Sequence, residues 1–222
     1  MRLSVNLFMT LNGVSQGPGG PDEDTRGGFV DGGWLMSVFD AGCGAAVSRW
    51  FDQCGALLLG RNTYDIFAAH WPQVTDPEDP VADLINTRPK YVVTSSPLQE
   101  VWRTTSTALG EDFLDDIRRL KSREGGLELQ VHGSIRLAAT LHRAGLVDVY
   151  RFLIAPVTVA QGFGIFDDGG PTYRMHVQHG VVTENGVFDV ELVPNPMGAR
   201  KSVGLEDGKE VVREVENPGF QV

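Results

Sequence analysis

The chain has only two cysteines, Cys43 and Cys54, too few for a disulfide framework. Neither stands beside a histidine or basic cluster that would lower its thiol pKa, so both read as packing residues. No apolar stretch approaches the roughly 18 residues of a membrane-spanning helix. The first ten residues, MRLSVNLFMT, have one basic residue and interrupt their apolar positions with Ser4 and Asn6, so they read as a strand rather than a leader. The expected location is the cytoplasm, with no membrane partner. Positive charge is also scarce. The formal net charge is -10 and no basic stripe is present, which argues against nucleic acid as a partner. Missing too are a nucleophile elbow, a Walker loop, a CxxC zinc pair and a GxGxxG after the first strand. Gly17, Gly19 and Gly20 lie in a loop broken by Pro18 and Pro21, which cannot both turn tightly and open a helix. His176 and His179, three apart in an expected strand, should point to opposite faces, which argues against a metal.

What is present is apolar material for one substantial core: 222 residues, 41% hydrophobic and 22% charged. Leu3, Val5, Leu7 and Met9 alternate with Ser4, Asn6 and Phe8 at the period of a two-faced strand. The segment Ser15 to Gly33 holds seven glycines and two prolines and is too long for an ordinary connection; such loops are lids or disordered. A helix is expected from about Trp34 to Gln53. Three repeats of apolar run, Gly or Ser/Thr turn and polar helix follow, at Ala56–Gly60, Tyr91–Ser96 and Leu127–Ser134. Strands alternating with helices imply a mostly parallel sheet covered on both faces, with ligands bound beyond the carboxyl ends of its strands. After Asp148 only strands are expected, and Asn185-Gly186 marks a hairpin. The expected fold is therefore α/β, a mixed, mostly parallel sheet with helices on both faces and an antiparallel C-terminal edge. Residues 1–193 should form one domain, and 194–222 a tail or small hairpin turning at Glu206-Asp207-Gly208.

Three strand-to-helix turns carry the chemistry. In Gly60-Arg61-Asn62-Thr63-Tyr64, Gly60 permits close backbone approach, Arg61 offers a forked donor and Thr63 can cap the helix, all suited to pyrophosphate. An N-cap with a surface arginine has the same composition. Thr94, Ser95 and Ser96 offer hydroxyls and N–H groups to a 2′-phosphate, with no acidic residue to read a bare ribose, or form an ordinary serine-rich turn. Gly133, Ser134 and Ile135 expose N–H groups at a helix start, a seat for phosphate. His132 beside them is a ligand or proton donor or, more commonly for a lone histidine at a strand end, a satisfied structural residue.

In order and spacing these segments resemble the dihydrofolate-reductase-like superfamily, in particular the reductase domain of the riboflavin-biosynthesis deaminase-reductase. The matching segments are Thr10-Leu11-Asn12-Gly13, the loop from Pro18 to Asp24, Gly32-Gly33-Trp34, Leu58 to Tyr64, Val92 to Ser95, His132-Gly133-Ser134, Leu146-Val147-Asp148 and Pro156 to Phe166. The resemblance implies NADPH as cofactor, contacted by Gly60, Arg61, Thr63, Thr94 to Ser96 and Gly133 to Ile135. It implies a small heterocyclic substrate near Asn12, Gly13 and Trp34, and a homodimer. Asn12 replaces the family's usual aspartate, and His132 replaces the first glycine of a Gly-Gly pair. Asp40 is the nearest candidate for an acid on the first helix, and equally a helix cap. The implied activity is reduction of a ribosylaminopyrimidine-like ring; a dihydrofolate or pterin reductase and a non-catalytic NADPH sensor are the alternatives.

Overall fold

The computed structural model describes residues 1–215. Its central sheet is built from β1 (Leu3–Thr10), β2 (Cys54–Gly60), β3 (Lys90–Val93), β4 (Ser106–Leu109), β5 (Glu128–His132), β6 (Val149–Ala155), β7 (Tyr173–Val182) and β8 (Phe188–Pro196). The spatial order is β4-β3-β2-β5-β1-β6-β8-β7. Pairing is parallel from β4 through β6, and β8 and β7 add an antiparallel edge. The helices are α1 (Ala41–Phe51), α2 (Arg61–His70), α3 (Pro80–Thr87), α4 (Phe113–Lys121) and α5 (Ile135–Arg143). A separate antiparallel pair, β9 (Arg200–Glu206) and β10 (Lys209–Val215), turns at Asp207-Gly208, both with positive φ. The rest of the expected tail, 216–222, lies outside the described residues.

The period-two pattern sorts each strand between two layers. Leu3, Val5 and Leu7 of β1, Leu58 of β2 and Leu129 and Val131 of β5 pack with Ile117 of α4 and Leu137 and Leu141 of α5. Leu57 and Leu59 of β2 face the opposite way, toward Phe51 of α1 and Ile85 of α3. Burying each such side chain contributes about 1.5–3 kcal/mol, which is why the alternation settles the register. On the α1 face the middle strands are polar and yet buried: Asn6, Gln130 and Arg151 are at most 2% exposed.

Several expectations need correction. The first helix begins at Ala41, not Trp34, because Asp40 Oδ1 accepts the Cys43 N–H at 3.0 Å and caps it there. Residues Trp34 to Ser37 form a turn, tied back by the Trp34 indole N–H donating to the Gln16 carbonyl at 2.8 Å. The helix also ends at Phe51, so Cys54 and Gly55 open β2. The short α3, with Asp79 as its cap, and the four-residue β4 carry too little periodicity to be read. His176 and His179 share a face after all: the ladder skips Gln178, so they pair with Val193 and Glu191, two apart on β8. Both cysteines are buried, and burial pushes the Cys54 thiol up to about 12.

Candidate active site

The carboxyl ends of β2 and β5 lie side by side, and each runs straight into a helix. Leaving β5, Gly133 and Ser134 both adopt left-handed backbone, with φ of 59° and 51°. That conformation is unfavourable for serine, and two hydrogen bonds offset it. Ser134 Oγ accepts the Gly60 N–H at 2.9 Å, and the Ser134 N–H donates to Thr63 Oγ1 at 3.0 Å. Thr63 thus does not cap its own helix, as expected from the sequence, but binds the start of the other. Neither α2 nor α5 has a side-chain cap, in contrast to α1 and α3. The first-turn N–H groups of both helices have no intrahelical acceptor by geometry, so two sets of unpaired donors adjoin one another.

These turns border a cleft of about 720 Å³, within the usual range for small-molecule sites. Val47, Trp50 and Phe51 of α1 form an apolar wall, and Asn6, Leu7 and Phe8 of β1 contribute to the floor. The long loop covers the cleft with Gly17, Pro18 and the segment 22–26. It is held by Gln16, whose Nε2 donates to the carbonyls of Asp24 and Arg26 at 3.1 and 2.9 Å. Arg26 pairs with Asp24 and holds its carboxyl below the ordinary value, against the effect of burial.

Of the expected site residues, the structure brings Gly60, Arg61, Thr63, Gly133, Ser134 and Ile135 to the cleft wall. Arg61 is already engaged, donating to Asp65 at 2.7 Å and to the Pro97 carbonyl at 2.6 Å. Thr94, Ser95 and Ser96 stand outside the lining; Thr94 Oγ1 accepts the Ser96 N–H, and the Arg61–Pro97 bond ties their turn to α2. The structure places the remaining candidates elsewhere. Asp40 Oδ2 accepts the Asn185 N–H at 2.8 Å, and the backbone bonds from Asn185 and Cys43 hold its carboxyl far below the usual range. Asp40 thus caps α1 and does not line the cleft. Asn12 Nδ2 donates to the Val159 carbonyl at 2.9 Å, Gly13 is a turn residue with φ of 88°, and Trp34 is buried against the loop; none lines the cleft.

Sequence reasoning passed over Arg136. It lines the cleft from the first turn of α5, makes no ion pair among the described residues, and lies over the Phe163 ring at 5.7 Å. Its signal was its place two residues after Ser134. Also missed was the polar floor, where Gln130 and His132 of β5 connect to Glu128 and Arg151. Of those contacts only Glu128–Arg151 joins two strands, β5 and β6; the others run along β5 between residues two apart. Among the described residues no group of His, Cys, Asp and Glu is disposed to hold a metal. The arrangement is suited to an anionic group at the helix starts and a flat ring against the aromatic wall.

Comparison with known proteins agrees with this architecture. The profile of the RibD C-terminal domain family matches residues 2–188. The uncharacterized protein YyaP of Bacillus subtilis (strain 168) is 26% identical over 169 residues, covering 75% of this chain and 81% of that protein. A putative riboflavin biosynthesis protein from Shewanella sp. PV-4 superposes with a TM-score of 0.64 at 18% identity, over 88% of this chain and 99% of that one. Dihydrofolate reductase from Enterococcus faecalis, complexed with NADP(H) and RAB-propyl, does so with a TM-score of 0.54 at 15% identity, over 87% and 96%. With a parallel-to-antiparallel sheet of the dihydrofolate-reductase-like kind and a profile match over nearly its whole length, the chain belongs to the RibD C-terminal domain family.

Proposed function

We propose that the protein is an NADPH-dependent reductase of a small heterocycle resembling the ribosylaminopyrimidine of riboflavin synthesis, working in the cytoplasm as a homodimer. The observation that carries this reading is the pair of uncapped helix starts, α2 and α5, cross-linked by Gly60, Thr63 and Ser134 at the cleft wall. Unpaired N–H groups at adjoining helix N-termini suit a pyrophosphate, and Arg136 adds a cation. Gly133, with φ of 59°, keeps this turn free of a side chain between the two helix starts. The residues present therefore fit the cofactor.

When bound, NADPH supplies a hydride to a C=N or C=O carbon of the substrate. The protein's part is placement. Trp50 and Phe51 wall the ring site, the helix starts seat the phosphates, and the Gln16-braced loop excludes water. Asp24 is committed to Arg26 and is not assigned the proton that follows the hydride; Asp22 and Glu23 of the same loop also line the cleft.

Titration with NADPH and NADH, followed by stopped-flow oxidation against pyrimidine and pterin substrates, tests the proposal. Tighter binding of NADPH and turnover with one of these rings is the expected result. No binding of either nucleotide at millimolar concentration refutes it. A second reading, a sensor that binds NADPH without turning over, is favoured by the same commitment of Asp24 to Arg26; binding without oxidation of any substrate selects it.

A further inference from the structure

His132 closes the cleft floor, and its two ring nitrogens differ in what they can do. Nε2 lies 2.9 Å from Gln130 Oε1. The orientation of that amide is settled by its other end, because Gln130 Nε2 donates to the Trp50 carbonyl at 2.6 Å and to Glu128 Oε2 at 3.2 Å. A flipped amide would set oxygen against two acceptors. Glu128 is in turn held as an anion by Arg151, at 2.6 and 3.0 Å, with both side chains 2% exposed. The chain of acceptors ends on His132 and makes its Nε2 the donor. Burial, helped by the charge of Arg151, pushes the imidazole down to about 3, so the ring holds a single proton. Nδ1 is therefore a bare lone pair. It makes no hydrogen bond among the described residues and is not one of the occluded unpartnered atoms, and His132 lines the cleft. Phe51 stacks on the ring with centroids 4.2 Å apart and planes 10° apart, fixing its tilt.

We propose that His132 is a positioning residue whose Nδ1 accepts a hydrogen bond from the carboxamide N–H of the nicotinamide ring. The proposal rests on the NADPH reading above. With the phosphates at the ends of β2 and β5, the sheet order leaves two directions for the rest of the dinucleotide. Toward β3 the way leads out along the Arg61-anchored turn, whose residues 94–96 are outside the cleft lining. Toward β1 it leads over His132 between Phe8, Trp50 and Phe51, the aromatic end of the cleft. A planar ring fits the second direction, and its amide then meets an acceptor that is never protonated at neutral pH.

The test compares NADPH with its 3-acetylpyridine analogue, which keeps the carbonyl and loses the amide N–H. The wild-type protein should bind NADPH about tenfold more tightly, the value of roughly one hydrogen bond. His132→Phe, which retains the stacking on Phe51, should bring that ratio near one. In wild-type protein labelled with 15N, the histidine proton should reside on Nε2, and the Nδ1 resonance should move upfield with NADPH but not with the analogue. This arm needs no variant to fold. Equal wild-type affinity for the two nucleotides, or a proton found on Nδ1, overturns the proposal alone. Failure of both nucleotides to bind overturns the NADPH reading and the proposal with it.

Discussion

The backbone N–H of Ser134 donates to Thr63 Oγ1 at 3.0 Å, joining the start of α5 to the first turn of α2 across 71 residues of sequence. Together with the reverse bond from the Gly60 N–H to Ser134 Oγ, it makes two strand-to-helix turns into one rigid unit. That unit aims two helix N-termini at the same volume.

Ser134→Ala removes the acceptor for the Gly60 N–H and leaves alanine in left-handed backbone. Stability should fall by about 1–2 kcal/mol, and NADPH affinity by roughly tenfold as the two helix starts drift apart. Urea unfolding and fluorescence titration read the two effects. Undiminished affinity would mean that the cross-link is structural only.

Arg136→Ala should leave folding intact, because the side chain has no ion pair to lose among the described residues. NADPH binding should weaken by about tenfold and become less sensitive to salt, as expected on losing one charge-assisted contact. An unchanged salt dependence would remove Arg136 from the phosphate site.

For Asp40→Asn the expected result is the reverse pattern. The substitution weakens a cap and the bond to Asn185, so Tm should drop by about 2–4 °C. The rate of NADPH oxidation should remain within about twofold, since the carboxylate is taken up by the Cys43 and Asn185 N–H groups and does not line the cleft. A loss of kcat with unchanged Tm would restore Asp40 as an acid.

Gln16→Ala unties the loop from the Asp24 and Arg26 carbonyls. Turnover should fall by about tenfold or more while NADPH affinity changes little, because closure rather than phosphate binding is affected. Pre-steady-state kinetics separates the two quantities.

His132 also makes stability depend on pH. Its pKa lies near 3 in the folded protein against an ordinary 6.5, so between those values the unfolded chain binds the proton and the folded chain does not. Stability is full above pH 6.5 and declines toward pH 3, by at most about 1.4 kcal/mol per pH unit. The difference between the urea midpoints of wild type and His132→Phe should shrink as pH falls through this window. A constant difference would show that His132 titrates normally.

Much of the scaffold was legible in the residues. The alternation in β1 shows which side chains enter the α4–α5 layer, because a strand's faces are decided by neighbours two apart. The three strand-turn-helix repeats locate Gly60 and Gly133 at the ligand edge, and Asn185-Gly186 marks the β7–β8 hairpin. The start of α1 was misread although its cap, Asp40 to Cys43, is local; the same carboxylate is also held by the Asn185 N–H across 145 residues, a contact that no helical pattern records.

By itself the sequence determined the local devices: periodicity, turn glycines, and the order of strands and helices, all of which depend on residues a few positions apart. Only the tertiary structure decided that Thr63 serves the other helix, that Asp40 is a cap, and that His132 presents a lone pair. Thr63 meets Ser134 across 71 residues, Asp40 meets Asn185 across 145, and the polar chain behind His132 ends where Glu128 meets Arg151 of β6; a hydrogen bond acts over about 3 Å of space regardless of separation along the chain.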